Sequence, residues 1–401
     1  MSRPKRIAWL LLAAALVPGL AVANGVSETF TRTSLLLILM ITLADLCGFL
    51  FERMGMAEIL GEIYAGIMLG NLALVGINFD LSKLLRTSEF MVYSSELALV
   101  LLLFLVGLES DMRALLRVGR NAVAVAASGV VLPVLLGLAG GAVLGYGMGL
   151  QGWFVGAMLA ATSVGITAKL LGDNGLVNTR SARVILGAAV IDDVLGILLL
   201  AVLASVVVSG EASATELLWI VAKALLFFGG ALLIGQKLMP GVIHIISLNK
   251  HSSVWTGFAL CLALGFAQLA HFAGLAPLIG AFMAGLILDD VDFRVGNALQ
   301  KHTLEELVKP ISDIMITIFF VGIGAQVHLQ ALLNPQIVLI IVSLTVLAIL
   351  SKGVAGFAVR GRGYDRLGIG YGMIPRGEVG LVFAAFAYGH QVFSSDMYSA
   401  L

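Results

Sequence analysis

The chain has 401 residues, of which 60% are hydrophobic and 12% charged, and its 24 basic residues balance its 24 acidic ones. Soluble proteins carry about a quarter of their residues as Asp, Glu, Lys and Arg, so this composition excludes a water-soluble globular protein. Cys47 and Cys261, both in apolar runs, exclude a disulfide framework. Zero net charge without a basic stripe argues against nucleic acid as a partner. The remaining class is an all-α polytopic protein of the cell (inner) membrane, in contact with lipid.

The first 23 residues have the composition of a targeting segment. Three basic residues within positions 3–6 precede the apolar run 7–20, and an Ala-Val-Ala cleavage motif ends at Ala23. The pattern predicts a signal peptide over 1–23. The alternative is an uncleaved extra N-terminal helix.

Twelve apolar segments then follow, and together they form a predicted transmembrane domain over 33–401. A membrane-spanning helix must cross about 30 Å of hydrocarbon. The segments lie at 33–51, 57–76, 94–108, 121–145, 150–172, 183–208, 215–237, 253–271, 275–288, 310–326, 336–358 and 367–389. Fifteen Lys and Arg residues fall on one side of these segments and only three on the other, which assigns the basic side to the cytoplasm.

Two motifs recur in the same order, which predicts an inverted internal repeat. The glycine motif of 61–69 recurs at 280–288, shifting Gly66 to Gly285, and Phe-Leu-Val-Gly at 104–107 recurs as Phe-Phe-Val-Gly at 319–322. An odd number of helices, seven, separates the copies, so the second copy crosses in the opposite direction. Inverted repeats are a common plan of secondary transporters.

The repeat also relates two interrupted apolar segments. Thr162-Ser163-Val164-Gly165 corresponds to a region near residue 376, where the chain reads Ile374-Pro375-Arg376-Gly377-Glu378. Interrupted helices at matching places in two repeats indicate a binding site at the membrane midplane. Backbone groups freed by such breaks are tolerated only where they line a cavity or bind an ion.

Ionisable residues at bilayer depth are costly and indicate function. Asp192 and Asp193 lie in the middle of 183–208 and, as neighbours on a helix, point about 100° apart. Lys352 is the natural counter-charge; the alternative is a lysine that snorkels to the inner surface. Arg376 and Glu378 are assigned a supporting role in the second broken helix. Glu62 is interpreted either as a gating group or as a residue exposed at the inner interface.

These residues permit proton-coupled exchange of a monovalent cation. The carboxylates of Asp192 and Asp193, with the hydroxyls of Thr162 and Ser163, offer the oxygen ligands that a hard cation requires. The same carboxylates bind protons, so cation and proton compete for one site. An intramembrane aspartyl protease would need its aspartates on separate facing helices, and a channel would need a continuous polar pore. A transporter without enzymatic activity or cofactor is therefore expected.

Several motifs together resemble the monovalent cation:proton antiporter-2 family of the sodium/hydrogen exchanger superfamily. The resemblance runs from about residue 33 to the end and is carried by Leu60-Gly61-Glu62-Ile63, Phe104-Leu105-Val106-Gly107-Leu108-Glu109, Ala161-Thr162-Ser163-Val164-Gly165-Ile166-Thr167-Ala168, Val190-Ile191-Asp192-Asp193-Val194-Leu195-Gly196 and Pro375-Arg376-Gly377-Glu378-Val379-Gly380.

The resemblance implies two crossed, broken helices in a core domain, a dimerisation domain, and elevator-like motion of a homodimer. It also implies that Asp193 is the main cation and proton carboxylate and that Asp192 pairs with Lys352. The double-aspartate form resembles members that exchange two protons per Na⁺ or Li⁺; K⁺/H⁺ exchange of the potassium-efflux type is the alternative. Roles in ion transport and pH homeostasis follow from either.

Two departures from the family pattern are expected to matter. Thr317 stands where the family usually has a proline. The repeat also places the partner of helix 183–208 near residue 396, five residues before Leu401, so the sequence is expected to lack the last helix of the fold.

Overall fold

The regular structure within the described residues is helical throughout. The computed structural model describes residues 28–72, 89–109, 119–176, 179–209, 214–248, 251–290 and 304–401, and the predicted signal segment 1–23 lies outside them. The α-helices are α1 (Glu28–Arg53), α2 (Glu58–Gly70), α3 (Glu89–Glu109), α4 (Arg120–Leu144), α5 (Leu150–Ala160), α6 (Val164–Asp173), α7 (Arg180–Ser209), α8 (Ala214–Ser247), α9 (Ser252–Phe272), α10 (Pro277–Asp290), α11 (Leu304–Gln326), α12 (Pro335–Ala355), α13 (Arg366–Gly372), α14 (Glu378–Gly389) and α15 (Ser395–Ala400). Short 3-10 helices at Leu329–Leu333 and Gly356–Ala358 flank α12.

The length and hydropathy of these helices confirm a multi-pass membrane protein. Seven described helices, α1, α3, α4, α7, α9, α11 and α12, are long and apolar enough to cross a membrane, and α8 taken as a bent pair makes an eighth. The remaining apolar helices are shorter. They include α5 and α14, which belong to the two interrupted segments.

Three predicted boundaries differ from the structure by six residues or more. Helix α8 continues to Ser247 rather than ending at 237, because a proline, here Pro240, is tolerated within a membrane helix whose freed groups find other partners. Helix α11 starts at Leu304, six residues before the predicted start, with two glutamates in its first turn, where the helix dipole favours negative charge. Helix α2 ends at Gly70, and residues 73–76 of the predicted segment lie outside the described residues.

The chain divides into two compact units, of which the first contains residues up to Leu102 and Lys309–Leu333. Its buried core brings together apolar side chains of α1, α2, α3 and α11, including Met40, Leu69 and Val321. Asn71 joins the ends of α2 and α11: its Nδ2 donates to the Val327 carbonyl oxygen at 2.8 Å, and its Oδ1 accepts from the backbone N–H of Leu329 at 3.2 Å.

The second unit contains Leu103–Val308 and Asn334–Leu401. Within it α4 packs against α5, α7 and α12, and α14 packs against α5. A buried cluster around Val125, Ile185 and Ile369 joins α4, α7 and α13. This packing sets the two interrupted segments, α5–α6 and α13–α14, beside the helix that contains the paired aspartates.

The inverted repeat is visible at glycines where the backbones of two helices approach each other closely. In the first unit a Cβ at Gly66 would overlap the carbonyl oxygen of Val321, and one at Gly324 that of Ile63. In the second unit a Cβ at Gly285 would overlap the carbonyl oxygen of Phe104, and one at Gly107 that of Phe282. Thus α2 packs on α11 as α10 packs on α3. The packing equivalent of Gly107 is Gly324, two residues beyond the Gly322 that the motif alone predicts.

The correspondence extends to both ends of the repeat. Gly61 approaches the backbone of Cys47 and Gly48 in α1, and Gly280 approaches that of Phe266 and Ala267 in α9, with a common shift of 219 residues. Helix α15 begins at Ser395, one residue before the position that the repeat predicts for the partner of α7.

Candidate ion-binding site

Helix α7 places the two aspartates in the interior of the second unit. It is 30 residues long and almost wholly apolar between Arg183 and Ser209 except for Asp192 and Asp193. Both carboxylates are buried, with 2% and 8% of the residue surface exposed, respectively. Because the two residues are adjacent, they face different neighbours around the helix axis.

Lys352 on α12 forms a buried ion pair with Asp192. Its Nζ donates to Asp192 Oδ2 at 2.5 Å, and both side chains are fully buried. A snorkelling lysine would reach the surface, and this one does not. Asp193 lies near enough to interact with the Lys352 charge. The other oxygen of Asp192, Oδ1, is buried and accepts no hydrogen bond from the described residues. A buried charged oxygen without a partner is costly, so this atom favours a bound cation or proton nearby.

The two interrupted segments cross beside this pair. The break between α5 and α6 covers residues 161–163, and the break between α13 and α14 covers 374–377 with a turn at Met373. The backbone N–H of Ser163 donates to the Pro375 carbonyl oxygen at 3.0 Å, and the Thr162 hydroxyl to that of Met373 at 3.3 Å. A Cβ on Gly377 would lie 2.8 Å from the Ser163 side chain, so the crossing requires glycine there. Thr162 also lies beside the Asp192 carboxylate.

Arg376 joins three elements at the crossing. Its guanidinium donates to the Ala161 carbonyl oxygen just after α5 and, through Nη2, to the Ala348 carbonyl oxygen of α12 at 3.2 Å. Ala348 lies one turn before Lys352. Arg376 therefore supplies donors to carbonyl groups freed at the end of a half-helix and links the first broken segment to the lysine helix. These contacts are compatible with the supporting role predicted for Arg376, which stays a prediction; the Glu378 side chain lies outside the described part.

Glu62 lies outside this constellation, in the first unit. It is partly buried on α2, and its Oε1 accepts a hydrogen bond from the Thr317 hydroxyl at 2.7 Å. Thr317 is the residue that replaces the expected proline, so the substitution supplies a donor to this carboxylate.

Two contributors to the site escaped the sequence-based prediction. The position of a Cβ on Gly129 of α4 lies 3.2 Å from Lys352 Nζ, so this glycine makes room for the ammonium group. The Thr167 hydroxyl donates to the Gly372 carbonyl oxygen at 2.9 Å and so ties α6 to α13. A glycine within a long apolar helix is common and gave no specific signal; Thr167 falls within the motif of the first broken segment and was not separated from its neighbours.

Comparison with known proteins gives the same family from independent directions. The family model described as "Sodium/hydrogen exchanger, transmembrane" matches residues 11–401. The chain is 35% identical over 365 residues to the high-affinity Na(+)/H(+) antiporter NhaS3 of Synechocystis sp., covering 83% of this chain and 77% of that protein. It is 33% identical to the Na(+)/H(+)-K(+) antiporter GerN of Bacillus cereus, covering 93% and 92%.

More distant likenesses agree. The glutathione-regulated potassium-efflux protein KefC of Cronobacter sakazakii is 26% identical over 70% of this chain and 43% of its own length. The structure of the sodium proton antiporter MjNhaP1 from Methanocaldococcus jannaschii shares the fold, with a TM-score of 0.67, 18% identity and coverage of 93% and 92%. These relatives are transporters rather than enzymes. The chain therefore belongs to the sodium/hydrogen exchanger family, and its relatives agree with the monovalent cation:proton antiporter-2 group expected from its motifs.

Proposed function

We propose that this protein is a secondary active antiporter that exchanges Na⁺ or Li⁺ for protons across the cell membrane by alternating access. The observation that carries the proposal is the buried Asp192–Lys352 pair beside Asp193, at the crossing of two interrupted helices. The names of NhaS3 and GerN, both sodium/proton antiporters, support the choice of cation.

Asp193 is the carboxylate that exchanges cation and proton in this proposal. Asp193 is buried next to the Asp192–Lys352 ion pair, so a change in its charge acts directly on that pair. Thr162 and Ser163 lie at the break of the first interrupted segment, where hydroxyl and carbonyl oxygens add hard ligands. A monovalent cation and a proton then compete for the same oxygens, and neither ATP nor a cofactor is needed.

Lys352 couples the exchange to a second proton. When a cation approaches the aspartates, the attraction that holds the lysine ammonium weakens, and a buried ammonium without its counter-ion releases its proton readily. One proton from Asp193 and one from Lys352 against one cation would move net charge. The proposal is therefore an electrogenic exchange.

The carboxylate assignment is tested by proton flux in proteoliposomes with Na⁺, Li⁺ and K⁺ added separately. Asp193→Asn keeps the shape of the side chain but removes its charge, so cation-driven proton movement should fall to that of empty vesicles. Asp313→Asn, an exposed acid on α11, is the matched control and should keep wild-type flux. Full activity of Asp193→Asn would refute the assignment.

Competition at one site also sets the pH dependence. Below the pH at which Asp193 and Lys352 are both protonated, each further unit of acidity should raise the cation concentration for half-maximal flux by about a hundredfold, because two protons must leave for each cation bound. Flux measured against cation concentration at several pH values tests this. A half-maximal concentration that does not change with pH would contradict competition.

A second candidate is K⁺/H⁺ exchange, favoured by the name of GerN and by the likeness to KefC. The same flux assay separates the two, since K⁺ alone would then drive proton movement. The proposal also includes a signal peptide over 1–23, an exchanger domain over 33–401, a homodimer and a role in pH homeostasis. The mass of the mature chain tests whether the signal peptide is removed, and the mass of the detergent-solubilised particle tests whether the protein is a homodimer.

A further inference from the structure

A large cavity opens along α7 beyond the aspartates. It has a volume of about 830 Å³ and lies between α7, the loop joining α4 to α5, and the residues just after α14, all within the second unit. Leu199, Leu203 and Val206 form part of its α7 wall, with Trp153 and His390 among the residues of the other walls. The cavity lies toward the end of α7 opposite Arg180, which the distribution of basic residues assigns to the outer side.

The α7 wall of the cavity is on the same face of the helix as Asp192. At 100° per residue, Leu199, Leu203 and Val206 all lie within about 40° of Asp192 around the axis, and Leu199 is about 10 Å farther along it. Gly196 lies between Asp192 and Leu199 along the axis. It is about 40° from Asp192 and about 60° from Asp193 around the axis, and so lies between the two carboxylates in direction.

Gly196 is a buried glycine that adjoins open space. Apart from its chain neighbours and the adjacent backbone of α7, no atom of the described residues lies within 4 Å of the position that its Cβ would occupy. Other buried glycines of this unit, such as Gly137 and Gly285, are there because another backbone lies against them. Close helix packing therefore accounts for those glycines but not for Gly196.

We propose that Gly196 keeps open the passage between the cavity and the aspartates, so that the cavity is the vestibule of the ion site and Gly196 determines the rate of transport. This inference rests on the proposed antiport function. The wall at Leu199 and Leu203 offers no ligand to a cation, so a cation crossing it must keep part of its water shell and needs width. A side chain at 196 would project into the space that the hydrated cation uses.

The test compares Gly196→Ala and Gly196→Val with the matched variant Gly230→Val, a glycine of α8 that also has no described atom within 4 Å of its Cβ position. Flux is measured in proteoliposomes, and cation binding is measured as the Na⁺-dependent shift of thermal unfolding in detergent. We expect flux to fall at least tenfold in Gly196→Val and by an intermediate factor in Gly196→Ala. The Na⁺ concentration for half of the thermal shift should stay within twofold of wild type, and Gly230→Val should keep its flux.

Wild-type flux in both Gly196 variants would overturn the inference. So would a parallel loss of flux, Na⁺ binding and thermal stability in Gly196→Ala, because that pattern indicates a structural glycine. Absence of cation-driven flux in the wild-type protein is a different result, which would overturn the proposed function itself.

Discussion

At the scale of single residues, burying the charges of Asp192 and Lys352 costs desolvation free energy, which the attraction between the two charges offsets only in part. Removing two charges from water costs several kcal/mol per ion, and a buried pair is often no more stable than apolar residues of similar volume. Stability therefore does not account for both residues. We infer that they serve the proposed exchange of a charged ligand, since both lie buried beside Asp193 and one Asp192 oxygen has no hydrogen-bond partner among the described residues.

The pair makes a prediction for stability. Lys352→Ala leaves a carboxylate buried without its counter-charge and should lower the free energy of unfolding by about 3–5 kcal/mol. The double variant Asp192→Leu/Lys352→Met removes both charges and should recover most of that loss while remaining inactive in transport. Thermal unfolding in detergent measures both.

Lys223→Ala is the matched control, because that lysine is only partly buried and its Nζ lies 5.6 Å from the centre of the Trp219 ring. It should cost no more than about 1 kcal/mol. A double variant as unstable as Lys352→Ala would show that the lost packing, and not the unpaired charge, causes the effect.

At the scale of elements, the two interrupted segments depend on each other at their breaks. Ser163 and Thr162 donate to carbonyl groups of the opposite segment, and Arg376 donates to the Ala161 carbonyl group in return. In the membrane interior every backbone group freed by a break needs a hydrogen-bond partner within the protein. Each break thus supplies some of the partners that the other break needs. The two segments therefore stabilise each other at the crossing, and a substitution in one segment should also disturb the hydrogen bonds of the other.

The crossing is tested at Gly377. Gly377→Ala would place its Cβ 2.8 Å from the Ser163 side chain and force the segments apart, which should lower the free energy of unfolding by about 1–3 kcal/mol and reduce flux. Gly380→Ala, three residues along the same segment, meets only the Met158 carbonyl oxygen at 3.8 Å and is the control. Equal effects of the two substitutions on flux and unfolding would contradict a specific role of the crossing.

At the scale of the whole molecule, the inverted repeat exchanges partners between its halves. Helix α2 of the first half packs on α11 of the second, and α10 of the second packs on α3 of the first, each through glycines whose backbones nearly touch. Neither half could form these contacts alone. The repeat therefore explains why residues more than 170 positions apart must be present together for each unit to pack.

This arrangement predicts matched consequences at matched positions. Gly66→Ala and Gly285→Ala should each destabilise the protein, by about 1–3 kcal/mol, because each added Cβ overlaps a carbonyl oxygen of a helix from the other half. Gly229→Ala, a glycine of α8 with no described atom within 4 Å, should be neutral or slightly stabilising, since alanine favours the helix. Thermal unfolding ranks the three, and a neutral Gly66 or Gly285 variant would contradict the packing.

The sequence could predict the membrane class, the repeat and the broken segments because those properties depend on local composition and order. A sufficiently long run of apolar residues identifies a membrane helix. Pro375 and Gly377 predict a break in the helix regardless of what the segment packs against. Boundaries are less predictable: Lys237 and Pro240 in isolation indicate an end, yet α8 extends to Ser247 as a bent helix.

By itself, then, the sequence determined which chemical groups lie at membrane depth: two adjacent carboxylates, a lysine, an arginine and two interrupted helices. The tertiary structure decided how they meet. It directs Arg376 to Ala161 and Ala348, places Gly129 beside the Lys352 ammonium, pairs Gly107 with the Phe282 backbone, and leaves Gly196 beside open space. The physical reason is that contacts between helices far apart in the chain depend on helix rotation and crossing, which no local pattern specifies.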